Sequence, residues 1–234
     1  MRRENYVAFK SSLARMNHPT NWLTLRCGVV DSTNELAKRL LRTGLTGSDI
    51  LVTARGQTAG KGTRGRQWLS PVDAGLYMSY LCRPPRNAGH AETGRFTLAA
   101  GVACAEVLRA LGSHVELKPI NDLVLGERKL AGILTEALWE AGRIYAVIVG
   151  VGLNVRAAPR GAIPAVSLEE SMPPEAFSRV NPNVLAAALT LAIRSWFYRL
   201  ADDAQAIQRA WLRFAIPGAG FPAPGEQIGP PARL

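Results

Sequence analysis

Two long apolar runs, K-L-A-G-I-L-T-E-A-L at 129–138 and I-Y-A-V-I-V-G-V-G-L-N-V at 144–155, are separated by little more than a turn at Gly142. Their β-branched content reads as two strands. A parallel pairing needs a crossover of a dozen or more residues, and none is available here, so the two runs must form an antiparallel hairpin. Val115–Lys118 forms a further short strand, broken by Pro119-Ile120-Asn121-Asp122 and resumed at Leu123–Leu125, with a turn at Gly126-Glu127-Arg128. Upstream, Trp22–Val30, Ile50–Ala54 and Leu76–Cys82 read as strands, the last ended by Pro84-Pro85.

Helices fill the remaining periodic stretches. Leu36, Ala37, Leu40 and Leu41 follow the capping-type run Asp31-Ser32-Thr33-Asn34 and end near Gly44. Phe96, Ala99, Ala100, Ala103, Val107 and Leu111 make an apolar stripe closed by Gly112, and Val184–Phe214 is a long helical region. The fold class is α+β: a mixed, largely antiparallel sheet with helices packed on it. One domain is expected over residues 1–214, opening on a short helix or arm at 1–20. A polar loop at 86–91, a Pro-rich connection at 156–182 and an irregular Pro/Gly-rich tail at 215–234 complete the chain.

The 234 residues are 47% hydrophobic, ample for a core, and 28 Lys and Arg stand against 18 Asp and Glu, a net charge of +10. That balance favours anionic partners without choosing among them. Cys27, Cys82 and Cys104 lie apart in apolar runs, and the three His residues are scattered, so neither disulfides nor a zinc site is indicated. No run of eighteen apolar residues and no signal peptide is present, and a cytoplasmic protein with no membrane span is expected.

The densest chemistry is R-G-Q-T-A-G-K-G-T-R-G-R-Q-W, Arg55 to Trp68, with four glycines and four cations in fourteen positions. Backbone N–H groups of such a turn, flanked by Arg and Lys, make a polyanion site, and Trp68 offers a flat face to a base. The spacing excludes a P-loop, since only three residues separate Gly56 from Gly60 and Gly62 intervenes between Lys61 and Thr63. Other polar groups interrupt apolar strands: Lys118, Asn121-Asp122, Lys129 and Asn154. Ser32-Thr33-Asn34, at a strand-to-helix turn, either caps the helix or also binds a polar head group.

Four segments in order, spanning residues 31 to about 155, resemble the biotin protein ligases: Ser32-Thr33-Asn34; Gln57 with Gly60–Trp68; Asn121-Asp122 with K-L-A-G-I-L at 129–134; and G-V-G-L-N at 150–154. The resemblance implies a catalytic domain that forms biotinyl-5'-AMP from biotin and ATP with Mg²⁺. The biotin then passes to a lysine of a biotin carboxyl carrier domain. It implies biotin contacts from Ser32, Thr33, Asn34, Gln57, Lys61, Gly62, Thr63, Lys129 and Gly132, with Gly132 and Gly152 letting the ring approach the backbone. Arg64, Arg66, Trp68, Asn121 and Asn154 would hold ATP and the adenylate, Trp68 by stacking on adenine. Lys129, Asp122 and Lys118 form the implied catalytic set, with Asp122 orienting or deprotonating the acceptor lysine and tentatively meeting Mg²⁺ through the phosphates. A strand beside the site offers an edge to the acceptor or to a second copy of the chain.

The sequence departs from the family pattern in three ways. Lys61 and Thr63 stand where arginines are expected, which implies weaker retention of the adenylate. The stretch Lys118-Pro119-Ile120-Asn121-Asp122 lacks the family's Trp and shifts its Pro. The residues after Phe214 are too few for the small SH3-like domain that relatives carry there, so that domain is expected to be missing or truncated. The rival readings are a lipoate or octanoate ligase or transferase of the same superfamily and, remotely, a basic nucleic-acid-binding protein. Specific DNA binding is not expected.

Overall fold

The computed structural model describes residues 22–44, 48–85, 93–161 and 163–222. The arm expected at 1–20, the polar loop at 86–91 and the tail from residue 223 lie outside the described residues. The elements in order are β1 (Trp22–Val30), α1 (Thr33–Arg42), β2 (Asp49–Gln57), β3 (Gly75–Cys82), α2 (Thr93–Ala110), β4 (Glu116–Lys118), β5 (Asp122–Leu125), β6 (Arg128–Glu140), β7 (Arg143–Asn154), α3 (Leu168–Ser171), α4 (Pro174–Phe177), α5 (Pro182–Asp202) and α6 (Ala204–Phe214). The strands form one seven-stranded sheet in the order β1-β2-β3-β7-β6-β5-β4. Only β1 and β2 pair in parallel, joined through α1, and every other neighbouring pair is antiparallel. The hairpin expected from the 129–155 stretch is β6–β7, with Ala137 opposite Val147 and Gly132 opposite Gly152.

Alternation along the strands sends side chains to two separate cores. Leu51, Met78, Ile133, Val149 and Val151 meet α2, α5 and α6 on one face, where Phe96 and Phe197 pack edge-on at 4.8 Å. Ile50, Val52, Leu81, Leu138 and Ile148 meet Ala37 and Leu41 of α1 on the other. Period-two patterning thus buries both faces of the central strands, and α1 covers only part of its face. By length and composition α5 could cross a membrane, but its apolar stripe is buried in the core, and Arg194 within it reaches Asp49 at 3.5 Å.

Several expectations are corrected. Residues 116–125 are not one interrupted strand: the chain reverses, and β4 pairs antiparallel with β5, setting Lys118 opposite Asp122. The long helical region is two helices, broken at Asp203, whose carboxylate accepts from the N–H groups of Gln205 and Ala206. The Pro-rich connection contains α3 and α4, and the Ser167–Glu170 capping box starts α3. The tail is held in its first part. Ala215 bridges to Leu117, the Ile216 N–H donates to the Leu117 carbonyl at 3.0 Å, and Phe221 meets Trp211 edge-on.

Candidate functional site

The uncovered part of the α1 face is stripped of side chains by three glycines. Gly132 stands opposite Gly152, and Gly150 lies between Ser79 and Leu134. A Cβ on Gly152 would come within 2.3 Å of the Trp68 indole, and one on Gly150 within 2.4 Å of Asn34 Oδ1. Gly132 and Gly152, expected to admit a ligand ring, lie beneath the Trp68 indole, whose Nε1 is buried without a hydrogen-bond partner among the described residues and whose ring centroid is 5.3 Å from the Lys129 ammonium.

The glycine-rich loop is ordered. It leaves β2 as a narrow hairpin: the Gln57 N–H donates to Ser70 O, Trp68 N–H to Gly60 O at 2.9 Å, and Gly62 N–H to Arg66 O at 2.7 Å. Arg64 and Gly65 close its tip in the left-handed region, with φ of 57° and 72°. Gly60 is needed where the hairpin narrows, because a Cβ there would stand 2.4 Å from Trp68 O.

At the start of α1, Ser32 occupies the N-cap position with no side-chain capping bond. Gln57 Oε1 accepts from the Thr33 N–H at 2.8 Å and from the Thr33 hydroxyl at 3.2 Å, while its Nε2 donates to Ser70 Oγ at 2.8 Å. The buried Ser79 hydroxyl lies 2.7 Å from Thr33 Oγ1 and 2.5 Å from Asn34 Oδ1. The Asn34 amide donates to Glu136 Oε2 at 2.8 Å. These groups hold one another in place before any ligand arrives, the preorganisation that a polar subsite needs.

One cavity of about 320 Å³ runs across this surface, within the range of small-molecule sites. Ser32, Thr33, Asn34 and Gln57 line it together with Lys61, Gly62, Thr63, Arg66 and Trp68 of the loop, and with Asn121, Lys129, Gly132 and Asn154. Arg64, Lys118 and Asp122, all expected at the site, do not line it. Arg64 and Lys118 are exposed, and Asp122 stands behind Lys129, its Oδ1 2.7 Å from Nζ. Asn121 and Asn154 line the cavity, yet their amide nitrogens bond backbone: Asn121 to Ile133 O at 2.9 Å, Asn154 to Val166 O at 3.1 Å.

Sequence reading missed Gln67, Leu69, Met78, Ile133, Leu134 and Val151, and the second wall from the β7–α3 connection: Pro159, Arg160, Gly161, Ile163 and Ala165. An Arg-Gly pair within an otherwise apolar, Pro-rich run was the available signal. Lone Ser79 within L-Y-M-S-Y-L-C was the signal for the buried hydroxyl.

Among the described residues four cations line the cavity, Lys61, Arg66, Lys129 and Arg160, and no Asp or Glu does. Lys61 is paired with Glu35 at 2.6 Å. Burial alone would raise the Glu35 carboxyl, but hydrogen bonds from Lys61 and Lys38 outweigh it and hold the group below its ordinary range. Arg66 donates to Thr63 Oγ1 at 3.0 Å and to the Thr63 carbonyl at 3.3 Å. Among the described residues no three His, Cys, Asp or Glu side chains converge on a metal position. Asp122, engaged by Lys129, does not fit as a resident Mg²⁺ ligand.

Residues 27–154 match the model of the biotin/lipoate A/B protein ligase family. The bifunctional ligase/repressor BirA of Escherichia coli (strain K12) is 39% identical over 168 residues, 71% of this chain and 51% of that protein. The biotin–[acetyl-CoA-carboxylase] ligase of Paracoccus denitrificans is 35% identical over 196 residues, 78% of this chain and 76% of that protein. The chain therefore spans about half the length of the first relative and three quarters of the second. In fold it is similar to the biotin protein ligase of Aquifex aeolicus solved with biotin and ATP, with a TM-score of 0.64 at 24% identity, covering 84% of this chain and 78% of that one. The strand order, the glycine-stripped patch and the four motif segments on one cavity thus have a common explanation: the chain belongs to the biotin/lipoate A/B protein ligase family.

Proposed function

We propose that this chain joins biotin to ATP, giving biotinyl-5'-AMP and pyrophosphate, and then passes the biotin to a lysine of a biotin carboxyl carrier domain. One observation carries the reading. One cavity joins a preorganised hydroxyl and amide end, Ser32, Thr33 and Gln57, to four cations, with no carboxylate among the described residues that line it. A ureido ring suits the first end, and a carboxylate meeting a triphosphate suits the second. Relatives named as biotin ligases support the choice of substrate.

In the first step a biotin carboxylate oxygen attacks the α-phosphorus and pyrophosphate leaves. Lys129, beside the Trp68 indole, offsets the repulsion between the two anions. Mg²⁺ belongs to this reading as part of the ATP substrate, carried on the phosphates. In the second step the neutral amine of the acceptor lysine attacks the acyl carbon, AMP leaves, and the amine loses a proton. Asp122 is the nearby base candidate once Lys129 turns to the ligand.

Beyond Ile133, whose N–H donates to Asn121 O and whose carbonyl accepts from the Asn121 amide, β6 has no strand partner on its β5 side among the described residues, an edge open to an acceptor or to a second copy. Free thiols at Cys27, Cys82 and Cys104 suit a reducing cytoplasm. Incubation with biotin and ATP, following pyrophosphate, and then with a carrier domain, following biotin transfer, tests the proposal. Pyrophosphate release dependent on biotin, with lipoate a poor substitute, is expected. Release driven equally by lipoate would sink the choice of biotin.

A further inference from the structure

We propose that Arg160 binds the phosphoryl group retained in the acyl-adenylate, a role that rests on the ligase reading above. Of the four cations lining the cavity, three are already engaged: Lys61 by Glu35, Lys129 by Asp122, and Arg66 by the hydroxyl and carbonyl of Thr63. Arg160 has no hydrogen bond or ion pair among the described residues, yet it lines the same cavity. A guanidinium presents several donors in a rigid fork that matches two phosphate oxygens at once.

Arg160 is exposed and lines the cavity from the segment between β7 and α3, the segment that also meets Lys129. This segment is fastened to both sides of Lys129. The Lys129 N–H donates to Pro164 O at 2.9 Å, and the Val166 N–H donates to Lys129 O at 3.0 Å. Asn154, at the other end of the segment, donates to Lys129 O and Val166 O. Pro164 and Val166 on one side of Arg160, and Asn154 on the other, are therefore tied to the lysine that faces the carboxylate. Thr63 of the glycine-rich loop lines the cavity too and carries no charge.

The test uses the full chain with Arg160→Gln and Arg160→Lys. Labelled adenylate is formed on each enzyme and its escape timed after dilution into unlabelled biotin and ATP. Biotin affinity is measured separately without nucleotide. Arg160→Gln is expected to release adenylate at least about tenfold faster, the size of one lost hydrogen bond to a charged group. Biotin affinity is expected to stay as in wild type, and Arg160→Lys to recover part of the retention. Retention by Arg160→Gln equal to wild type would overturn the assignment. So would a parallel loss of biotin affinity, which would make Arg160 a structural residue of the cavity. A wild-type chain that binds biotin but forms no adenylate would overturn the ligase reading itself, and the role of Arg160 with it.

Discussion

Lys61 Nζ lies 2.6 Å from Glu35 Oε1, and Lys38 reaches the same oxygen at 2.9 Å while holding Glu136 Oε1 at 2.7 Å. Charges of alternating sign thus run from the glycine-rich loop, across α1, to β6. Asn34 bonds the other Glu136 oxygen, so the loop and the cavity floor share one anchor.

Glu35→Gln should loosen the loop with little effect on global stability, less than about 1 kcal/mol for partly exposed pairs. Hydrogen exchange at the Gly62 and Trp68 amides reads the loop directly. The pH dependence follows from the depressed Glu35 carboxyl. A folded-state value below the unfolded one gives stabilisation that is complete above the ordinary glutamate range and lost as pH falls through the folded value. Wild-type protection of the loop should therefore fall on acidification below that range, and Glu35→Gln should show a flatter profile. Identical profiles would remove the pair from loop control.

Gly152→Ala should expel the Trp68 indole, because the new methyl would stand 2.3 Å from Cε2 and 2.4 Å from Nε1. A cost of about 1–3 kcal/mol is expected from overpacking, together with weaker biotin binding and a red shift in tryptophan emission. Gly28→Ala, with nothing within 4 Å of its Cβ, should melt like wild type. Unchanged emission and biotin binding in Gly152→Ala would contradict the placement of Trp68.

Lys129→Gln should slow biotin-dependent pyrophosphate release by about 10²–10³-fold, the scale of losing one preorganised donor at a developing charge. Asp122→Asn frees Lys129 from its 2.7 Å partner and should slow transfer to the carrier more than adenylation. Measuring both steps separately decides the point, and an equal loss in both would end the assignment of Asp122 to the acceptor lysine.

Thr63 is 7% exposed and its hydroxyl accepts from Arg66, so it offers the ligand no charge. The wild-type chain should therefore release more free biotinyl-adenylate than a relative with arginine at the corresponding position. A stoichiometric trap of the intermediate measures this, and equal retention would refute it.

The strands at 22–30, 76–82 and 129–155 and the helix after Phe96 were legible, since alternation, β-branching and three-four spacing are properties of a local window. The β4–β5 reversal was not, because strands of three and four residues carry too little period to distinguish a break from a turn. The break at Asp203 was hidden by apolar spacing that continues on both sides of it. In the site, the four motif segments named fourteen residues that line the cavity, while Arg64, Lys118 and Asp122 stand outside its lining.

The sequence by itself determined which chemical groups this protein can offer: hydroxyls and amides at 32–34 and 57, cations at 61, 66, 129 and 160, and glycines where strands must lie bare. Only the tertiary structure decided what each one meets. Sheet order and register set Gly132 against Gly152 beneath Trp68, brought Glu136 to Asn34 across 102 residues, and left Arg160 in the cavity without a partner among the described residues. Local propensity reaches a few neighbours along the chain. Contacts across the sheet depend on pairing distant strands, and a one-residue slip would turn each of these side chains to the opposite face.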